Sequence, residues 1–345
     1  MIKFNRGVVN KEMLDAVKND IEKNGSNDQQ NCFVTKPVNQ WINEAKSRPI
    51  PKMLFGRFWY EGEVCILFAD TNVGKSVLAV QIADSISRQK PIAEFPLEVV
   101  PQRTIYLDFE LSDKQFEKRY SNNYSNHYQF SDNFLRTEIN VNHELPKSVN
   151  SFEEFVVLSL KQEIKLHSPK VIIIDNITYL RSDNERAKDA LSLMKELKAI
   201  AKEFKISVLV LAHTPKRDSK MQLSKNDLAG SKMLINFCDS AFAIGQSQKD
   251  KGLRYIKQIK QRNTECVYHS GNVVIFELKQ KFNFLMFDFI GYDDEINHLS
   301  ESNLNEKQLR NQCIADLHKQ GLSNCEIARQ LDISEGTVRY QLNKL

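Results

Sequence analysis

The sequence predicts an α/β fold: a mainly parallel sheet covered by helices on both faces, with antiparallel strands added at one edge and a small all-α module after it. Three observations carry this. Between about residues 52 and 290, short apolar runs alternate with amphipathic helical stretches. The first of these runs are apolar at nearly every position, as strands buried on both faces require. After Asp239 the alternation stops and strand-like runs follow one another directly, which suits antiparallel neighbours.

The elements follow in order. Residues 1–50 form a polar, partly flexible N-terminal segment. Within it Lys23–Asn31 reads as a linker, and the short helical piece before it either docks on a neighbouring subunit or frays. Pro49 to Pro51 marks entry into a compact domain spanning 51–290. Strands are expected at Val64–Phe68, Thr104–Phe109, Val171–Ile174 and Ile206–Leu211, and helices at Ser76–Arg88, Asp113–Tyr120, Phe152–His167 and Asn184–Phe204. The antiparallel additions are expected at Ser240–Ile244, Leu253–Ile259, Asn272–Glu277 and Phe284–Phe289. Residues 291–303 are acidic and read as a linker to a helical module over 304–345, with turns near Gly321 and Asp332.

Composition narrows the class. The chain has 345 residues, enough for one large domain plus a small one. A net charge of +4 is too small to mark a nucleic-acid binder by itself, so any such surface has to be local. Six cysteines are scattered without a C-x-x-C pair, which argues against a disulfide framework or a zinc site. The N-terminus lacks the apolar core of a signal peptide, and no apolar run approaches a membrane span. A cytoplasmic location is expected.

The chemistry starts at Ala69-Asp70-Thr71-Asn72-Val73-Gly74-Lys75-Ser76, between an apolar strand and the helix expected from Ser76, and these residues with Val77 are the candidate nucleotide-binding set. A turn of this kind aims backbone N–H groups and a helix N-terminus at one spot, which favours an anion. Lys75 adds a full charge, and Ser76 is placed to bind Mg²⁺. The pattern is that of a phosphate-binding loop except that Ala69 stands at the first glycine position. Because Ala carries a Cβ, the loop cannot need a positive φ there.

Three further strands end in polar groups, at the strand mouths where a parallel sheet carries its ligand crevice. Asp175 closes one and can share Mg²⁺ with Ser76. Asp108 and Glu110 close another, and alternation puts them on the same face. Glu110, nearer the mouth, is preferred as the group that orients water; alternatively, one of the two caps the helix starting near Ser112. His213 closes the third and can hydrogen-bond a terminal phosphate, or is simply a surface residue. The long loop after it carries Lys216, Arg217, Lys220, Lys225 and Lys232 against Asp218 and Asp227. It either couples nucleotide state to a polymer in a central channel or is a solvated charged loop. Lys260 and Arg262 alternate at the end of a later strand and can deliver two positive charges together, unless they only protect a sheet edge.

This ordered set resembles the RecA-type ATPase core, in its hexameric replicative-helicase branch (DnaB-like and plasmid RepA-like). The branch often carries Ala at the first loop position, as Ala69 does here. Phe109-Glu110-Leu111-Ser112, the segment from Asn226-Asp227-Leu228-Ala229-Gly230-Ser231 to Asp239, and Lys260-Gln261-Arg262-Asn263 match its later motifs. Over about residues 52–290 the resemblance implies a RecA-like core binding ATP and Mg²⁺ between subunits of a homo-hexamer or other homo-oligomer. It also implies that Lys260 and Arg262 reach a neighbour's γ-phosphate. Replicative helicases carry a sizeable N-terminal domain where about 50 residues stand here, which favours the shorter RepA-like or recombination-type ATPases.

Near the C-terminus, Ser323 and Glu326 form a capping-box pattern, Ile327, Ala328 and Leu331 share a face, and Ser334 opens a second helix carrying Val338 and Leu342. With Glu306–Lys319 before it, this segment resembles the helix-turn-helix of LuxR-type regulators. That implies duplex DNA contact through Glu335, Thr337, Arg339, Tyr340 and Gln341, with Arg339 foremost. A small helical bundle for oligomerisation is the alternative. The combined expectation is a DNA-associated, ATP-hydrolysing ring or filament, a helicase or remodelling protein of plasmid or mobile-element replication. Single-stranded DNA would pass the central loop. An ATP-gated DNA-binding regulator and a recombination-mediator or phage-defence ATPase are the alternatives.

Overall fold

The computed structural model describes residues 33–140, 146, 149, 151–177, 188–215, 217–218, 221–228, 232–299 and 301–342. Two compact units divide the chain, Met1–Ile50 and Pro51–Leu345. In the first, helix α1 (Val38–Lys46) follows Pro37 and buries none of its residues, and Lys36 reaches Glu44 at 2.8 Å. This helix was not expected; the linker at Lys23–Asn31 and the helical piece before it lie outside the described residues.

The second unit begins with a short antiparallel pair, β1 (Met53–Phe55) and β2 (Trp59–Tyr60). Then come β3 (Val64–Ala69), α2 (Lys75–Arg88), β4 (Thr104–Asp108), α3 (Asp113–Arg119), β5 (Phe134–Thr137), α4 (Phe152–His167), β6 (Val171–Asp175), α5 (Lys188–Phe204), β7 (Ser207–His213) and α6 (Lys232–Phe237). Strands β8 (Ser240–Gln246), β9 (Leu253–Lys260), β10 (Val273–Lys281) and β11 (Phe284–Asp293) complete one sheet in the order β11-β10-β9-β8-β3-β7-β6-β4-β5. The six strands from β8 to β5 are parallel, and β9 to β11 extend them antiparallel. This is the expected architecture, a mainly parallel sheet covered by helices and extended by antiparallel strands at one edge.

Side-chain alternation explains why both faces are covered. Cys65, Leu67, Tyr106, Ile173, Leu209 and Leu211 face α2 and the β1–β2 pair. Val64, Ile66, Ile105, Ile172, Ile174, Val208 and Val210 face α4, α5 and α6. Helix α2 is enclosed almost throughout, because β11 covers its outer side: the Gln81 amide donates to Phe287 O at 3.0 Å and accepts from Phe287 N at 2.9 Å. Each fully buried Leu, Ile or Val contributes about 1.5–3 kcal/mol, so this central layer anchors the loop that precedes α2.

Three differences from expectation have physical causes. β4 stops at Asp108 because its carboxylate turns the chain, accepting from Glu110 N at 3.2 Å and Leu111 N at 3.0 Å. Glu110 therefore stands in a bend beyond the strand, and the shared face expected for Asp108 and Glu110 does not form. Strand β5 was not expected; its four residues are all half-buried, with Arg136 among them.

Residues 291–303 are not a free linker. They hold the end of β11, a 3₁₀ turn at Glu295–His298 and the start of α7 (Glu301–Lys319). Glu295 is wholly buried, accepting from Leu223 N at 2.6 Å and from Lys257 Nζ at 2.6 Å. His298 is held by Ser247 Oγ at 2.8 Å and Asp293 Oδ2 at 3.1 Å. One acid of this segment, Glu295, is thus committed to a buried pair with Lys257, and removing one partner of such a pair costs about 3–5 kcal/mol.

Helices α7, α8 (Asn324–Gln330) and α9 (Glu335–Leu342) close a separate small core of Ile314, Ile327, Ala328 and Val338. The turns fall at Gly321, with φ +87°, and Asp332, with φ +51°. Ser323 and Glu326 form the expected capping box, and Ser334 Oγ accepts from Thr337 N at 3.2 Å. Among the described residues no helix is long and apolar enough to cross a membrane.

Candidate nucleotide site

Register brings the polar strand ends together. In the parallel ladder Ala69 lies opposite His213, and Asp108 lies opposite Asp175. The loop from Ala69 to Gly74 opens at this edge and runs into α2. Positive φ falls at Asn72 (+61°) and Gly74 (+107°), not at Ala69, as the Cβ argument required. Gly74 has a second constraint: a Cβ there would lie 3.0 Å from the Phe287 ring.

Lys75 folds back into the loop. Its Nζ donates to Ala69 O at 3.2 Å and Asp70 O at 3.0 Å, and meets His213 Nδ1 at 3.1 Å. Burial lowers its pKa, against the pull of Asp175, Glu110 and Asp70. Since an ammonium only donates, Nδ1 accepts and the other ring nitrogen carries the proton. That nitrogen, Nε2, lies 3.3 Å from Glu110 Oε1. Asn176 also donates its amide to Glu110 Oε1; its nitrogen, a donor like the protonated Nε2, lies 3.0 Å from that ring atom without accepting from it. The His213 hydrogen bond lowers the Glu110 pKa, so Glu110 is held as the carboxylate.

Asp175 is 1% exposed. Burial pushes its pKa up to about 6, against the Ser76 hydroxyl and the Tyr106 phenol, whose OH donates to Oδ2 at 2.5 Å. Ser76 is near enough to act on this carboxyl, yet Oδ1 is buried with no hydrogen-bond partner among the described residues. An orphaned carboxylate oxygen beside a serine hydroxyl fits a hard divalent cation, so Ser76 and Asp175 are the residues that would hold Mg²⁺.

Asp108 is excluded from the reacting position. Besides its two N–H donors it accepts from Arg136 Nε at 2.9 Å. Arg136 also pairs with Asp113 at 2.8 Å and donates to Leu111 O at 2.8 Å, so it braces the bend that carries Glu110. Neither carboxylate caps α3; Ser112 does, in a capping box with Gln115.

The remaining candidates lie elsewhere. Lys260 and Arg262 sit where β9 pairs with the start of β8, at the opposite end of the parallel strands from the loop. Lys260 Nζ donates to Ile235 O and, at 2.7 Å, to Cys238 O; Arg262 pairs with Asp239 at 2.8 Å and donates to Asn236 O at 3.2 Å. Both thus cap the C-terminus of α6. Arg217 turns inward, its side chain 12% exposed, against Asp227 at 3.5 Å, so it is not offered to a polymer. Lys216 and Lys220 lie outside the described residues. On α9, Thr337, Arg339 and Tyr340 are exposed, Glu335 and Gln341 half-buried, and Arg339 pairs with Glu335 at 2.5 Å.

Sequence reasoning missed Asn176, Tyr106, Arg136 and Arg254. Tyr106 had a signal: it shares a strand face with Asp108, beside the strand ending at Asp175. Asn176 directly follows Asp175, and Arg136 and Arg254 carry no local pattern.

The family described as an AAA domain matches residues 33–219. Among solved structures the chain is similar to a KaiC-like protein of the hyperthermophilic archaeon Pyrococcus horikoshii OT3, at 14% identity and a TM-score of 0.46, over 66% of this chain and 90% of that one. No curated protein matches. Since the family match spans more than half of the sequence and carries the phosphate-binding loop within it, the chain belongs to the AAA-domain family of ATPases.

Proposed function

We propose that this chain hydrolyses ATP as a DNA-associated homo-oligomeric ring or filament, in a helicase or DNA-remodelling role in plasmid or mobile-element replication. The observation that carries the reading is the His213 bridge between Lys75 Nζ and the Glu110–Asn176 pair. A phosphate group arriving in the loop competes with His213 for Lys75. The histidine then re-pairs, and the loop leading away from it registers the change. Glu110, ionised and at the mouth, orients and polarises the attacking water. Mg²⁺, when bound, neutralises charge on the phosphates; Ser76 and Asp175 keep it in place.

In this reading Lys260 and Arg262, which cap α6 far along the sheet from their own loop, would leave those partners to reach the γ-phosphate of a neighbouring subunit. One feature supports the DNA part. The exposed Thr337, Arg339 and Tyr340 give α9 a face suited to phosphate and base contacts. The same face suits an ATP-gated regulator, which would bind its site without unwinding it.

Imaging with a slowly hydrolysed ATP analogue, with and without single-stranded DNA, tests the assembly. Rings or filaments are expected. The double variant K260A/R262A is expected to bind nucleotide yet hydrolyse it about 10³-fold more slowly. Monomers under all conditions, or a double variant with full turnover, would contradict the composite site.

A further inference from the structure

Arg254, on β9, is 7% exposed and no acidic side chain among the described residues pairs with it. Burial alone lowers its pKa. A buried cation without a counter-charge is costly, so its contacts call for an explanation. All three go to backbone carbonyls: Nε donates to Val73 O at 2.9 Å, and Nη1 donates to Lys251 O at 2.7 Å and Leu253 O at 2.9 Å. One guanidinium thus joins the phosphate-binding loop to the β8–β9 turn.

The Val73 contact sets a peptide plane. In a trans peptide the carbonyl and the following N–H point in opposite directions. With the Val73 carbonyl fastened on Arg254, the Gly74 N–H points away from the guanidinium. Glycine is required at this peptide: a Cβ on Gly74 would lie 3.0 Å from the Phe287 ring and 3.4 Å from Leu278. Lys75 holds the Ala69 and Asp70 carbonyls from inside the loop. Arg254 holds the next outward carbonyl from behind it.

We propose that Arg254 is a positioning residue of the nucleotide site, fixing the Val73–Gly74 peptide so that the Gly74 N–H faces the phosphates. Its unpaired charge adds to the positive field that draws them. The inference rests on the reading of the loop as an ATP site.

The test compares the full chain with R254K and R254Q by calorimetric titration with Mg·ADP, each beside its nucleotide-free melting temperature. Lysine keeps the charge but cannot hold both sets of carbonyls, so rescue is expected to be partial. R254Q is expected to bind about 10- to 100-fold more weakly, and R254K about 10-fold, as loss of a charged hydrogen bond implies. The nucleotide-induced rise in melting temperature is expected to shrink more than the nucleotide-free value falls, which a purely structural arginine would not produce. A second readout needs no variant. Val73–Gly74 is the sole Val–Gly pair in the sequence, so ¹³C-valine, ¹⁵N-glycine labelling isolates one amide signal, expected to shift downfield on adding Mg·ADP.

Variants binding at wild-type affinity, or a Gly74 amide that ADP leaves unmoved while the chain binds it, overturn the inference and leave the ATP site standing. A wild-type chain that binds no nucleotide overturns both.

Discussion

Glu110→Gln is expected to slow ATP hydrolysis by about 10²–10⁴-fold while nucleotide affinity stays level or rises. Of the three carboxylates at the strand mouths, two are committed to other partners. Asp108 is consumed by Arg136 and by the N–H groups of Glu110 and Leu111. Asp175 is buried against Tyr106 with its free oxygen beside Ser76. Glu110 is partly exposed, and its pKa is held low by the His213 hydrogen bond, so it stands ionised at neutral pH and can orient and polarise water by accepting its hydrogen bond. Glutamine keeps the shape and an oxygen for the His213 and Asn176 contacts but lacks the negative charge that polarises the water. Because the lowered pKa keeps the Glu110 carboxylate ionised below its ordinary range, a loss of turnover on acidification from about pH 7 toward about pH 5 is expected to follow Asp175, whose pKa is pushed up to about 6, rather than Glu110. Single-turnover hydrolysis beside a binding isotherm separates the two effects. Wild-type turnover in the variant would move the role elsewhere.

Lys75→Ala is expected to weaken nucleotide binding by about 10- to 100-fold and to abolish measurable turnover. The side chain is buried, so the change removes both the charge aimed at the phosphates and the internal brace on Ala69 O and Asp70 O. It also strips His213 of its Nδ1 partner. Titration with Mg·ADP checks the affinity, and unchanged binding would show that the loop is not the phosphate site.

These residues also show what could be read beforehand. Strands β3, β6 and β7 were legible because burial on both faces leaves an uninterrupted apolar run, and their ends pointed to Ala69, Asp175 and His213. Glu110 was legible by position, though for an incomplete reason: it is set apart from Asp108 by a turn that Asp108 itself makes. What stayed hidden depends on partners distant in sequence. Arg136 braces a bend more than 20 residues earlier, and Arg254 reaches a loop 181 residues away. Glu295 looked like linker acidity because Lys257 and Leu223, which bury it, are far along the chain. Arg217 looked like a polymer contact for a different reason: its partner Asp227 lies in the same loop, but the sequence does not show that the pair turns inward. Local pattern reports which face is buried; it does not report which charge is already paired.

We propose that ATP hydrolysis and DNA contact belong to one machine. The most direct test is the steady-state hydrolysis rate of the full chain titrated with single-stranded DNA, with Lys75→Ala in parallel. The account predicts a rate that rises with DNA and saturates, and a flat baseline for the variant. A wild-type rate indifferent to DNA at every concentration would contradict it.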